Sequence, residues 1–356
     1  MSISYLEKDV ENITYRYFTF FSEFNRKWEP GAVILETILL TCIFSVALVG
    51  NIMVLLVVIV DESMRTVTNY LVSNLALADL LFSFCVPFVI ATRITESWKV
   101  GSFICKSFFY FQFVTGFTSI WTMVIISFDR FRLIVQRKQK LTIQEVICII
   151  AVGWLIALLG AMPMYINFQV EEDFIVDEEL VKICTLDPGW SSANYGEIIY
   201  CCSVTILGII VPMGIIWYTH NRIRKTISEN SQRVASMSSG HPGFAGSSTT
   251  IHSSHNVAKE SRVLRMLVLL VVLFAIMWIP MVITILWIAT DTNMKVDSHI
   301  FLILWSNVAI NCGVNPIVYG VLNEHYKRRF KKFWRAICGR QNESCINNNP
   351  PESSIF

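Results

Sequence analysis

The chain has 356 residues, of which 54% are hydrophobic and only 16% charged. Soluble domains carry about 25% charged residues, so this balance points to a lipid environment and away from a soluble enzyme. The net charge of +2 makes no case for a nucleic-acid partner. Ten cysteines, mostly inside apolar runs, do not read as a secreted disulfide framework.

Residues 1–32 form a polar leader with Glu7, Lys8, Asp9, Glu11, Arg26, Lys27 and Glu29. It lacks the apolar core of a cleavable signal peptide, so the first hydrophobic helix is expected to act as the targeting signal. Asn12-Ile13-Thr14 is a glycosylation sequon. A helix needs about 20 apolar residues to cross the hydrocarbon layer. Seven stretches within 33–322 meet that test: Val33–Val60, Thr68–Thr92, Phe103–Val135, Ile143–Ile166, Tyr195–Tyr218, Val263–Ala289 and Ile300–Leu322. The expected fold is an all-α membrane protein, a seven-transmembrane-helix bundle.

The loops after spans 1, 3 and 5, with the C-terminal segment, hold most of the 29 Lys and Arg residues. By the positive-inside rule they face the cytoplasm, and the N-terminus lies outside. The acidic loop Glu171–Glu179 then also lies outside. Asn12 faces the glycosylating compartment, and Cys105 and Cys184 both fall on the oxidising side. Residues 228–255, rich in Ser, Gly, His and Thr, read as a flexible cytoplasmic loop. Within 323–338, Tyr326, Phe330, Phe333 and Ile337 alternate with Lys and Arg at helical spacing, as an amphipathic helix on the inner leaflet would. Cys338 at its end is either a palmitoylation site or an unmodified cysteine. Residues 339–356 read as a disordered tail.

Ionisable groups inside spans are costly and are functional candidates. Asp79 lies within span 2, with Asn51, Ser119, Asn311 and Asn315 at similar depth. A small hard cation such as sodium or a protonated Asp in a polar network would each fit that set. In span 3, Cys105, Gln112 and Ser119 recur at two-turn spacing, and Arg130 follows about three turns further along the same face. Glu260, opening span 6, is either a latch partner for Arg130 or a solvated loop residue. Pro212, Pro280 and Pro316 mark distortions in spans 5, 6 and 7. No metal-ligand cluster or nucleophile–base pair appears at membrane depth, so an enzyme is not expected. Nor are the inverted repeats of a transporter visible.

Taken together, Gly50-Asn51, Leu75 to Asp79, Asp129-Arg130-Phe131, Trp154, Pro212, Trp278-Ile279-Pro280 and Asn315 to Tyr319 resemble the rhodopsin-like receptor family in order and register. The resemblance implies a Cys105–Cys184 disulfide and a sodium pocket of Asp79, Ser119, Asn311 and Asn315. It also implies a G-protein switch of Asp129, Arg130, Glu260, Asn315, Pro316 and Tyr319, driven through Trp278. Phe131, Met277 and His220 depart from the family's usual residues. Gln112 stands where amine receptors carry Asp, and Ala309 where opsins carry the retinal Lys.

The chain is also similar to long-chain fatty-acid receptors of that family, notably at Tyr17–Phe24, Arg93–Trp98, Ile183–Leu186 and Ile276–Leu286. That similarity implies a free fatty acid ligand with its carboxylate on Arg93 and its tail among Phe82, Trp98, Phe109, Gln112 and Trp278. It further implies a plasma-membrane location, coupling to Gq-type proteins and recruitment of arrestin. Taken without that similarity, Arg93 reads as snorkelling to the headgroups and the aromatics as an interfacial belt. The alternative ligand is a basic peptide drawn to the acidic second outer loop.

Overall fold

The structure is a computed structural model and describes residues 5–10, 13–22, 30–139, 141–176, 178–187, 196–240, 248–290 and 296–337. Asn12, Cys338 and the rest of the tail lie outside the described residues, as does the side chain of Glu260.

Seven helices are long and apolar enough to cross a membrane: Gly31–Val60, Val67–Thr95, Ser102–Ile134, Ile143–Asn167, Ile198–Gln232, Val268–Ile288 and Ser298–Leu322. They coincide with the seven expected spans and form one bundle. In lipid every backbone polar group must find its partner within the fold, which is why long apolar stretches become helices. Spans 2, 4 and 7 are capped at their starts by Thr66, Thr142 and Asp297. The Thr142 hydroxyl accepts from the Glu145 amide at 3.2 Å while Glu145 Oε2 accepts from the Thr142 amide at 2.7 Å, a reciprocal pair that satisfies two orphan donors. Asp297 caps span 7 through the His299 amide at 2.8 Å.

Proline shapes more of the bundle than the three expected sites. Span 2 breaks after Ser83 and restarts as Val86–Thr95 with Pro87 in its first turn. Span 4 breaks at Ala161 and restarts as Met162–Asn167 with Pro163. Both prolines sit where their missing N–H costs nothing. In span 5 a π-helical turn, Ile206–Ile210, comes directly before Val211-Pro212. Pro280 and Pro316 lie inside continuous helices.

Two further findings differ from the sequence reading. Residues 228–240 and 248–255, expected as a loop, continue the helices of spans 5 and 6, Val211–Gly240 and Ser248–Thr290. Ser, Arg and Gln do not stop a helix already nucleated in the membrane; Pro242 and Gly243 fall between the two. The fold also carries two antiparallel hairpins, β1 (Tyr5–Val10) with β2 (Ile13–Phe18), and β3 (Phe168–Val176) with β4 (Glu179–Leu186). The second has a register irregularity between Glu171 and Phe174. The disulfide Cys105–Cys184, with Cα atoms 5.6 Å apart, pins β4 over the start of span 3. The β-hairpins, the disulfide and the residue 17–22 segment share one end of the bundle, called here the leader end.

Two apolar clusters fill the interior, one toward the leader end and one toward the Arg130 end, and Trp278 packs against both. At the Arg130 end, helix Glu324–Ile337 folds back on the bundle. Tyr326 is fully buried, with its ring 5.8 Å from Tyr319. Arg329 pairs with Asp61 at 2.5 Å. The Ser63 hydroxyl holds the Asp61 carboxyl below the usual carboxylate range, and Arg329 adds to that.

Candidate functional site

An apolar cavity of about 250 Å³ lies at mid-depth between spans 3, 4, 5 and 6. Phe113, Gly116 and Phe117 of span 3, Val204 and Leu207 of span 5, and Trp278 and Met281 of span 6 make its walls; Phe82, Gln112, Trp305 and Val308 close one side. The Gln112 Oε1 accepts from Trp305 Nε1 at 3.1 Å. The Tyr200 hydroxyl donates to the Gly160 carbonyl at 3.1 Å and the Ser203 hydroxyl to the Ile199 carbonyl at 2.7 Å. Among the described lining residues, two buried polar side-chain atoms have no hydrogen-bond partner, Gln112 Nε2 and Trp278 Nε1. Both are N–H donors; Gln112 has only the weak Cys85 thiol beside it.

Trp278 occupies a position that only glycine permits opposite it. A Cβ built on Gly116 would stand 2.5 Å from the indole Cη2. The indole also stacks on Phe274 at 5.3 Å and meets Phe82 edge-on at 6.1 Å. A side chain wedged between a cavity wall and a helix kinked at Pro280 is a natural lever for that helix.

Toward the leader end the bundle is closed by its own N-terminal segment. Phe18, Thr19, Phe21 and Ser22 are buried. The turn is held by Ser22 N donating to the Thr19 carbonyl at 3.0 Å, with Phe20 in the left-handed region at φ 50°. Phe21 meets Trp305 at 5.3 Å, Phe301 at 5.4 Å and Phe108 at 5.7 Å. Phe20 meets Phe109 at 4.9 Å, and Phe109 stacks on Phe168 of β3 at 3.9 Å. Thr185 of β4 donates to the Phe18 carbonyl at 2.9 Å. Edge-to-face and offset pairs of this kind add to the burial of the rings themselves. Trp305 is shared: its ring meets Phe21 of the closure and also lines the cavity.

The residues expected around a ligand are placed differently from one another. Phe82, Gln112 and Trp278 do line the cavity. Phe109 belongs to the aromatic closure, and Trp98 is buried beside Phe108 at 5.9 Å, its indole donating to the Gly101 carbonyl at 2.9 Å. Neither lines the cavity: Phe109 is taken up by Phe20 and Phe168, and Trp98 by Phe108 and the Gly101 carbonyl. Arg93 is not a free anchor. Its guanidinium is buried and forked onto Glu36, with Nε to Oε2 at 2.9 Å and Nη2 to Oε1 at 3.1 Å. It also lies 3.0 Å from His299 Nδ1 and donates to the Phe21 carbonyl at 3.2 Å. An Arg fork is complementary to one carboxylate, and Glu36 supplies it. Sequence reasoning missed Glu36, yet a glutamate inside the first span was a signal by the rule applied to Asp79.

The polar core is assembled partly as expected. Asn315 Nδ2 donates to Asp79 Oδ2 at 2.6 Å and the Ser119 hydroxyl donates to Oδ1 at 3.3 Å. Asn311 is buried nearby in span 7. Asn51 instead donates to the carbonyls of Ala47 and Cys312. Asn74 ties three spans together, accepting from Trp154 Nε1 and donating to the Thr122 hydroxyl, each at 2.8 Å. Asp129 is buried. Arg130 donates to the Thr68 hydroxyl of span 2, a partner the sequence did not indicate. His220 is buried with Nε2 3.3 Å from the Ser127 hydroxyl. Pro316 packs so tightly on span 1 that a Cβ on Gly50 would stand 2.9 Å from it. The Tyr319 hydroxyl is buried without a partner.

A seven-span bundle with an apolar cavity and a buried polar core ending at Arg130 is the architecture of a membrane receptor. The sequence matches the family described as 7 transmembrane receptor (rhodopsin family) over residues 50–319. The chain belongs to that family, and is a multi-pass membrane receptor of the G-protein-coupled class. It is 30% identical to free fatty acid receptor 4 of Rattus norvegicus over 362 residues, covering 97% of this chain and 91% of that receptor. It is likewise 31% identical to neuropeptide Y receptor type 2 of Cavia porcellus over 313 residues, covering 85% and 78%. The same receptor of Mus musculus is 30% identical, covering 83% and 74%.

Proposed function

We propose that the chain is a receptor for a single-chain amphiphile of the free fatty acid class, bound in the cavity beneath Trp305. The observation that carries this reading is the chemistry of the cavity: apolar walls with only N–H donors unpartnered among its buried polar atoms. An apolar tail suits the walls, and an acceptor headgroup such as a carboxylate suits Gln112 and Trp278. Arg93 serves the closure rather than the ligand. The similarity to free fatty acid receptor 4 spans nearly the whole chain and supports the same class.

In this reading the leader end faces outward, ligand displaces Trp278, and span 6 swings at Pro280 to admit a Gq-type protein beside Arg130; arrestin follows. A sodium ion held by Asp79, Ser119 and Asn315 would favour the resting arrangement. The buried Asn315 Oδ1 without a partner fits such an ion. Asn12 carries glycan and Cys338 palmitate, each verifiable by mass spectrometry of the intact receptor.

A peptide ligand is the second reading, favoured by the neuropeptide Y receptor relatives. The acidic hairpin supports it less than its sequence implied, because Lys182 lies 2.7 Å from Glu172 and Lys8 3.9 Å from Glu171. The deciding experiment is calcium release and cAMP in cells expressing the chain, challenged with long-chain fatty acids and with a peptide library. A fatty-acid response is expected. A response to peptide alone refutes the lipid reading.

A further inference from the structure

Among the described residues, the lining of the cavity does not reach the leader-end hairpins. No described residue of the leader, β3 or β4 lines it, and the leader packs Phe20 on Phe301 and Phe21 on Trp305. Its lining instead reaches the bundle's outer surface between spans 4 and 5. Ile156 of span 4 and Leu207 of span 5 both line the cavity and are 54% and 52% exposed on the lipid-facing side. Spans 4 and 5 make almost no backbone contact with each other.

The gap is framed and lined with small groups. At its leader end the Tyr200 hydroxyl bridges to the Gly160 carbonyl at 3.1 Å. On its other side Trp121 Nε1 donates to the Leu207 carbonyl at 3.2 Å, within the π-helical turn Ile206–Ile210. That turn is wider than an α-helical one and is a common device at functional positions. Beside these bonds the lining is small: Ala157, Gly160 and Gly208. A Cβ on Gly160 would touch nothing within 4 Å, so the space beside it is open.

We infer that this gap is the ligand's entrance, a portal that admits the apolar chain of an amphiphile dissolved in the bilayer while the leader segment keeps the aqueous route shut. The inference rests on the amphiphile reading above and adds the route. Amphiphiles concentrate in the bilayer, and the portal presents apolar walls to that store, so entry requires no transfer of the tail through water. The Tyr200–Gly160 bond ties span 5 to span 4 at the leader-end margin, and the Trp121–Leu207 bond ties span 5 to span 3.

The test follows the filling of the cavity in time. Full-length receptor in nanodiscs is mixed with vesicles carrying a photoreactive C16 fatty acid with a mid-chain diazirine. It is photolysed at intervals, and adducts on cavity residues are mapped by mass spectrometry. Gly160→Phe and, independently, Ile156→Trp place bulk in the gap. Each is expected to slow cavity labelling about tenfold, and Phe20→Gly with Phe21→Ala, which unseats the closure, is expected to restore the rate. Thermal melting of each variant separates misfolding from blockage, and the second variant replaces any that fails to fold. Unchanged labelling rates in the folded blocked variants overturn the portal while leaving the cavity as the binding site. No cavity adducts in the wild type and in the unseated variant alike overturn the amphiphile reading, and the portal with it.

Discussion

The pairing of Arg93 with Glu36 makes a prediction that separates a structural arginine from a ligand anchor. The Arg93 side chain is 1% exposed and that of Glu36 19%. Removing one partner of such a pair costs about 3–5 kcal/mol where the other charge is left without compensation; here His299, 2.8 Å from Glu36 Oε1 and 3.0 Å from the guanidinium, stays beside whichever charge remains and sets the cost toward the lower end. At about 2 °C per kcal/mol for a chain of this size, Arg93→Met alone lowers the melting temperature by about 6–10 °C, and Glu36→Leu alone does much the same. Replacing both with apolar residues of similar volume removes both desolvation penalties and is close to neutral. The bond from Arg93 to the Phe21 carbonyl is lost whenever Arg93 is replaced, alone or together with Glu36, at about 1 kcal/mol. The assay is thermal melting of purified receptor, read beside surface expression and fatty-acid potency. The double variant is expected to recover stability and keep its response. If Arg93→Met melts like the wild type, the guanidinium has no buried partner and the reasoning fails; if the double variant is stable but deaf to fatty acid, Arg93 is the ligand's anchor after all.

Gly116→Ala sets a methyl group 2.5 Å from the Trp278 ring, an overpacking of about 1–3 kcal/mol. Because the indole must move, basal G-protein activation should change several-fold; identical basal and stimulated signalling would remove Trp278 from the switch. Asp79→Asn should abolish the rise in melting temperature when sodium replaces N-methylglucamine in wild-type receptor, and an equal sodium effect in the variant would exclude that site. The Asp61 carboxyl is depressed in the folded state by Ser63 and Arg329. Its contribution is therefore present above the ordinary carboxylate value of about 4 and lost as pH falls through the lower folded value. Asp61→Asn should flatten that acid limb of the melting profile, and superimposable profiles would contradict the contact.

The seven spans were legible because lipid leaves a helix no alternative: each needs its own run of apolar residues, and the run is the signal. The pairing of Asp79 with Ser119 and Asn315 was legible for a related reason, since polar groups at one depth in a bundle have few other partners. The hairpin at Phe168–Leu186 was not, because Glu171 and Glu172 interrupt its alternation and its irregular register hides the period. Arg93 shows the limit most clearly. An outer arginine among aromatic residues reads as an anion site until its carboxylate is found. That carboxylate lies 57 residues away on another span. Likewise nothing in Tyr17–Ser22 distinguishes an exposed leader from one folded into the bundle; its aromatic content is the one hint, and it takes on meaning only against Trp305.

The most direct test of the account is saturation binding of tritiated oleate to purified receptor in nanodiscs, compared with a variant whose cavity is filled by Val282→Trp. The account predicts saturable binding of one oleate per wild-type receptor, retained when Arg93 and Glu36 are replaced together and lost when the cavity is filled. Absence of saturable binding, or undiminished binding to a folded Val282→Trp receptor, would contradict it.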